Sequence, residues 1–126
     1  MTTSRLEGGC PCGAVRFRTR GDPRDWVRCD CGFCRGLARV RGPGDPVWPD
    51  ACVEFDGGKI GSVGHTSDAH PRPMTVHFCI VCGTAVSLSL DGRRTERALL
   101  LSTFDEPARV SEAMPARRED RRRSMH

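Results

Sequence analysis

Tyrosine is absent from this 126-residue chain, and its only aromatic side chains are five phenylalanines and two tryptophans. Proteins that stack bases need aromatic platforms, so this scarcity argues against a nucleic-acid module of that kind. No apolar run approaches the roughly 20 residues that a membrane-spanning helix needs. The opening Met1-Thr-Thr-Ser-Arg-Leu-Glu-Gly-Gly has no apolar signal core. The expectation is a cytoplasmic chain with no membrane segment. Strong 3.6-residue periodicity is missing, and so is any internal repeat. Apolar residues make up 37% and charged residues 29%, which leaves one domain with a thin core.

Cysteine is what the chain has in quantity, eight in all. A secreted disulfide scaffold is one use of such a count. Close Cys-x-Cys pairs suit a shared metal better, because disulfides require particular Cα separations. Cys29-Asp30-Cys31-Gly32-Phe33-Cys34 places three thiols within six residues. Zinc prefers soft thiolates, and three protein ligands leave a position open for water or substrate. Equally, a fourth ligand could come from Cys52, His65, His70 or His77 and close the site. Cys10-Pro11-Cys12-Gly13 precedes this run and Cys79-Ile80-Val81-Cys82-Gly83 follows it. Two cysteines from each make one closed tetrahedral site. Cys52 is then left alone in a strand-like run, as a free, buried cysteine rather than a ligand.

The formal charge is +4. Seven bound thiolates and two zinc ions would bring it to about +1 by adding seven negative and four positive charges. The basic balance therefore gives little support to a nucleic-acid partner. Arg35, Arg39 and Arg41 follow the three-cysteine run. They could hold substrate carboxylates, or they could only offset thiolate charge.

Short alternating segments fill the rest. Val15, Phe17 and Thr19 oppose Arg16, Arg18 and Arg20, the pattern of a half-buried strand. Further strands are expected over Ala51–Phe55, Ile60–His65, Met74–Phe78, Thr84–Leu90 and Ala98–Ser102. Ser67 to Pro73 reads as a polar loop, and Pro107 to Met114 as a short helical turn. Six or seven strands on metal-bound turns imply a small, mainly β domain. The expected boundaries are a flexible start over residues 1–8, a zinc-binding β domain over 9–107, and an Arg-rich tail over 108–126.

Three stretches together carry a resemblance. They are Gly9-Cys-Pro-Cys-Gly-Ala-Val-Arg-Phe, Cys29-Asp-Cys-Gly-Phe-Cys-Arg and Phe78-Cys-Ile-Val-Cys-Gly-Thr, with Leu101-Ser-Thr-Phe-Asp-Glu-Pro behind them. In this order they resemble the glutathione-dependent formaldehyde-activating enzyme family, which includes centromere protein V. The resemblance runs from about residue 8 to 107. It implies an antiparallel β-tent and two zinc ions per chain. Carried over, Cys10, Cys12, Cys79 and Cys82 would hold a structural zinc, and Cys29, Cys31 and Cys34 a catalytic one. It also implies a carbon–sulfur lyase-type reaction on a small thiol substrate, namely S-hydroxymethylglutathione formation or cleavage; Arg35 and Arg39, next to the three-cysteine run, are the expected partners of its carboxylates. A non-catalytic, zinc-stabilised interaction domain is the alternative, and a nucleic-acid-binding zinc module a third. Asp30 stands where many members have histidine. The later histidine and tryptophan motifs are replaced by the Arg-rich end.

Overall fold

The computed structural model describes residues 5–27, 44–67, 70–90 and 95–113. Nine strands, all paired antiparallel, form two sheets among them. The smaller sheet has the order β1 (Arg5–Gly9), β2 (Arg16–Arg20), β5 (Val53–Asp56). The larger has the order β3 (Asp25–Val27), β4 (Asp45–Pro49), β9 (Glu96–Leu99), β8 (Ala85–Leu90), β7 (His70–Cys79), β6 (Ile60–Ser67). A short helix, α1 (Pro107–Ala113), closes the described chain. Proline suits its first position, where no intrahelical N–H bond is lost.

Alternation explains β2. Phe17 and Thr19 are buried, while Arg18 and Arg20 face water. Phe17 then sits at the centre of an aromatic cluster. Its ring meets Phe104 edge-on at 5.0 Å and Phe55 at 5.9 Å. Trp48 lies 5.6 Å beyond Phe104. These rings, with Leu6, Val15, Val86 and Leu99, form the core that joins the two sheets. A second apolar cluster includes Val47, Met74, Val76, Leu88 and Ala98, all on the larger sheet. The neighbours Val47 and Trp48 are thus split between clusters, as are Ala98 and Leu99. A period of two sends them to opposite faces. With both faces buried, the run Ala98-Leu-Leu-Leu shows no alternation.

Four expectations need correction. The count of six or seven strands is too low. The start is not a free lead-in, because Arg5–Gly9 forms β1 and pairs with β2 along its full length. A Cβ on Gly8 would meet the Thr103 carbonyl at 2.3 Å and the Phe17 ring at 2.7 Å. Glycine is there for close packing, not for freedom. The expected loop over 67–73 is largely strand, since β7 begins at His70. Its pairing with β8 starts only at Met74, opposite Leu90. Pro71 and Pro73 therefore lie beyond that ladder, where a missing N–H costs no bond to it. The expected tail from residue 108 carries most of α1, and residues 114–126 lie outside the described residues.

Asp45 ties β4 to the chain's last third. Its Oδ1 accepts the Leu101 backbone N–H at 3.0 Å. Burial lifts its carboxyl from the ordinary 3.8 to about 6, despite that bond, which pulls the other way. At low pH both folded and unfolded forms are protonated and burial costs nothing. As pH rises past 3.8, the unfolded chain ionises first, so the folded state binds more protons and stability falls. The loss is complete above about pH 6. Two units correspond to roughly 3 kcal/mol. Asn at this position still offers a carbonyl to Leu101. Asp45→Asn should therefore stabilise the fold by about 1–3 kcal/mol at pH 7.5. The gain should roughly halve at pH 5 in urea unfolding of the two proteins side by side. A gain that does not change with pH would contradict the assignment.

Candidate metal centre

Two similar turns build the centre. Cys10 opens the first, just after β1, and Cys79 ends β7 at the start of the second. In the first, Cys10 N–H donates to the Val15 carbonyl at 3.0 Å and Gly13 N–H to the Cys10 carbonyl at 3.1 Å. In the second, Cys79 N–H donates to the Thr84 carbonyl at 3.0 Å and Gly83 N–H to the Cys79 carbonyl at 2.8 Å. Each turn needs a left-handed residue straight after its second cysteine. Gly13 (φ 83°) and Gly83 (φ 77°) supply it without the steric penalty that a Cβ brings.

The turns bring four sulfurs together. Sγ atoms of Cys10, Cys12, Cys79 and Cys82 all lie within 4.8 Å of one another. Cys10 and Cys12 are 3.4 Å apart, and Cys12 and Cys79 are 3.6 Å apart. A tetrahedral ion with Zn–S bonds of about 2.3 Å has S···S edges of about 3.8 Å. The quartet is thus close to the size that zinc needs. Cys10 and Cys79 are buried, while Cys12 and Cys82 face water. Backbone amides point at the two buried sulfurs, Val15 N–H at Cys10 and Val81 N–H at Cys79, both at 3.3 Å. Such donors stabilise thiolates over thiols.

Electrostatics agrees with a cation here. The Thr84 hydroxyl, 3.3 Å from Cys82 Sγ, brings that thiol down to about 6, helped by the Thr84 amide. Burial opposes ionisation of Cys10, yet the Val15 amide, Cys12 and Cys79 bring it below the ordinary thiol value. Cys12 has a favourable amide from Ala14, but the crowding of Cys10, Cys79 and Cys82 pushes it up to about 12. Four thiols this close cannot all ionise unaided. A divalent ion removes the conflict, and a soft four-sulfur donor set selects zinc or an iron–sulfur unit over a hard cation. The quartet can therefore hold a metal ion.

The other expected site residues fall in three groups. Cys29, Cys31, Cys34, Arg35 and Arg39 lie outside the described residues. The chain enters that stretch from β3, which ends at Val27, and the described chain resumes at Gly44 before β4. Val27 and Asp45 pair across β3 and β4. Cys52 does not join the quartet; it packs partly buried against the inter-sheet core. His77 is half-buried on β7, with Nε2 2.9 Å from Ser89 Oγ. Burial, then the charge of Arg97, lowers its pKa. Residue types alone did not single out Thr84 or the Val15 and Val81 amides. Their signal was position: Val15 and Thr84 lie one or two residues beyond a cysteine–glycine step, and Val81 lies two residues after Cys79.

A mainly β, antiparallel domain with a four-cysteine centre made from two turns defines the class. A model of the glutathione-dependent formaldehyde-activating enzyme family matches residues 5–119. The chain belongs to that family. A Halomonas elongata protein, provisionally named glutathione-dependent formaldehyde-activating enzyme, is 36% identical over 88 residues. That alignment takes in 64% of this chain and 54% of the relative, so the chain spans about half the length of the curated relative. The fold is also similar to the crystal structure of a Rhodobacter sphaeroides protein, with a TM-score of 0.58 and 20% identity. This match covers 79% of the chain and 87% of that structure. No described helix is long and apolar enough to cross a membrane.

Proposed function

We propose that this chain is a zinc-dependent, carbon–sulfur lyase-type enzyme that forms and cleaves S-hydroxymethylglutathione. The family match carries the reading, because residues 5–119 take in all three cysteine motifs. In this reading Cys10, Cys12, Cys79 and Cys82 hold a structural zinc, for which the quartet has the size and donor chemistry. Cys29, Cys31 and Cys34 hold a second ion, giving two per chain. A reducing, cytoplasmic setting belongs to the same reading, since it keeps such thiols available.

The reaction makes few demands. The glutathione sulfur adds to the formaldehyde carbon, forming one C–S bond. The C=O π pair moves to oxygen, which takes a proton in place of the one the thiol lost. The reverse step breaks the same bond. Zinc bound by three thiolates is a weak Lewis acid for water but supplies a soft position that stabilises a substrate thiolate. Arg35 and Arg39 clamp the carboxylates of the tripeptide through paired N–H donors. Holding the thiol in place raises its effective concentration at the aldehyde.

The test is the rate of S-hydroxymethylglutathione formation from glutathione and formaldehyde, set against the uncatalysed rate. The chain should accelerate it. Cys31→Ser should return it to the uncatalysed rate while the fold and one metal equivalent remain. No acceleration, together with no heat of glutathione binding, would reject the reading in favour of a zinc-stabilised interaction domain.

A further inference from the structure

The larger sheet ends in β6, and that edge is built unlike a guarded one. Ile60-Gly-Ser-Val-Gly-His-Thr-Ser contains no Asp, Glu, Lys, Arg or Pro, in a chain where 29% of residues are charged. It is eight residues long and, among the described residues, pairs only with β7. Soluble proteins guard an exposed edge with short strands, lysines, prolines or a cover, because its outward N–H and C=O groups will pair with any suitable strand. Among the described residues, the one such device at β6 is a register shift near its end, between His65 and Ser67.

A second observation falls at the same place. Among the described residues, the exposed large aliphatic side chains are Val63, Ile80 and Val81, at 49%, 57% and 63% exposure. Val63 is on β6 itself. Ile80 and Val81 form the tip of the second cysteine turn, and Ile80 N–H donates to the Lys59 carbonyl beside the start of β6. A Cβ on Gly61 would come within 2.9 Å of both Ile80 Cγ2 and the Phe78 ring. Ile80 therefore leans over the sheet face that Gly61 presents. Val63, two residues on, shares that face. The bare edge and the exposed aliphatic groups make one continuous surface, and such continuity marks an interaction site.

We infer that this surface is a self-association site, at which β6 of one copy pairs antiparallel with β6 of a second copy about a two-fold axis. Antiparallel pairing of identical strands is the arrangement that a closed dimer allows. An uncharged strand is its own electrostatic complement, since no like charges meet across the axis. The two larger sheets become one, and the cysteine-turn tips flank the seam. A charged or directional peptide finds no matching charge on β6 to set its register. This inference goes beyond the proposed reaction and does not depend on it.

Sedimentation velocity on the metal-loaded 126-residue chain across a concentration series tests it. The wild type should move from chain mass to twice chain mass as concentration rises. Val63→Lys places a lysine on the edge and should weaken association about tenfold or more. Val63→Thr, which suits a strand and brings no charge, should associate like the wild type. Ser62→Lys, at a second exposed position, should act like Val63→Lys. Circular dichroism and metal content, unchanged in all variants, would separate dissociation from unfolding. A chain that stays monomeric throughout overturns the inference, even if it captures extended peptides. So does a dimer that neither lysine weakens.

Discussion

Cys79→Ser should leave no folded protein at room temperature, and the metal should be lost with the fold. Cys79 is fully buried, and its sulfur accepts the Val81 amide. It also belongs to the inter-sheet core, beside Val15, Phe17 and Trp48. Serine there loses a soft ligand and places a hydroxyl in an apolar setting, at a cost of about 1–3 kcal/mol before the metal is counted. The metal term is larger. The quartet joins Cys12 to Cys79 across 67 positions, and structural zinc contributes on the order of 10–16 kcal/mol in small zinc peptides. The whole stability of a domain is about 5–15 kcal/mol. Loss of one of four ligands therefore takes away an amount comparable to the total. Far-UV circular dichroism and bound-metal analysis should show both losses together, and excess chelator should reproduce them in the wild type. A Cys79→Ser protein that stays folded with full metal content would remove the quartet from the structural role. Cys82→Ser should be milder, because Cys82 is exposed and is not part of the inter-sheet core.

The sequence shows those parts of the molecule that rest on local pattern. β2 alternates because one side chain in two is buried, and that period is visible in the letters. The two cysteine turns are visible because thiol spacing and the following glycine are both local requirements. What escaped was set by distant partners. β1 looks like a loose lead-in, since Glu7, Gly8 and Gly9 have no strand preference. It is a strand because β2 supplies its ladder, while Asp105 N–H donates to the Glu7 carbonyl on the other side and Gly8 bridges Phe104. Arg16 and Asp105 then clamp the same crossing through two N–H···O bonds, at 2.6 and 3.1 Å. Both side chains are largely exposed, so the pair fixes geometry more than it adds stability. The division of protons among the four thiols was equally hidden. Spacing says that the cysteines can meet, but not that Thr84 would favour the thiolate of Cys82 while crowding holds the proton on Cys12.

Trp48→Ala should be the most damaging change away from the cysteines. Trp48 belongs to the core, because no part of its side chain reaches water. The indole packs between the sheets, with Phe104 at 5.6 Å and Leu99 in the same cluster. Its Nε1–H donates to the Gly21 carbonyl at 3.0 Å, tying β4 to the turn after β2. Truncation leaves a cavity in the cluster that, among the described residues, holds both sheets together. Such losses cost about 3–5 kcal/mol, and the abandoned Gly21 carbonyl adds to this. In a thin-cored domain of about 5–15 kcal/mol, the remaining stability would be small. The urea midpoint should fall steeply, provided that metal is kept in excess in both samples. Trp48→Phe separates the two contributions. It keeps an aromatic ring against Phe104 but has no N–H for Gly21, so its cost should be smaller, about 1–3 kcal/mol. If Trp48→Ala unfolds at the same urea concentration as the wild type, the sheets are not joined through this residue. The metal centre would then have to carry the connection alone.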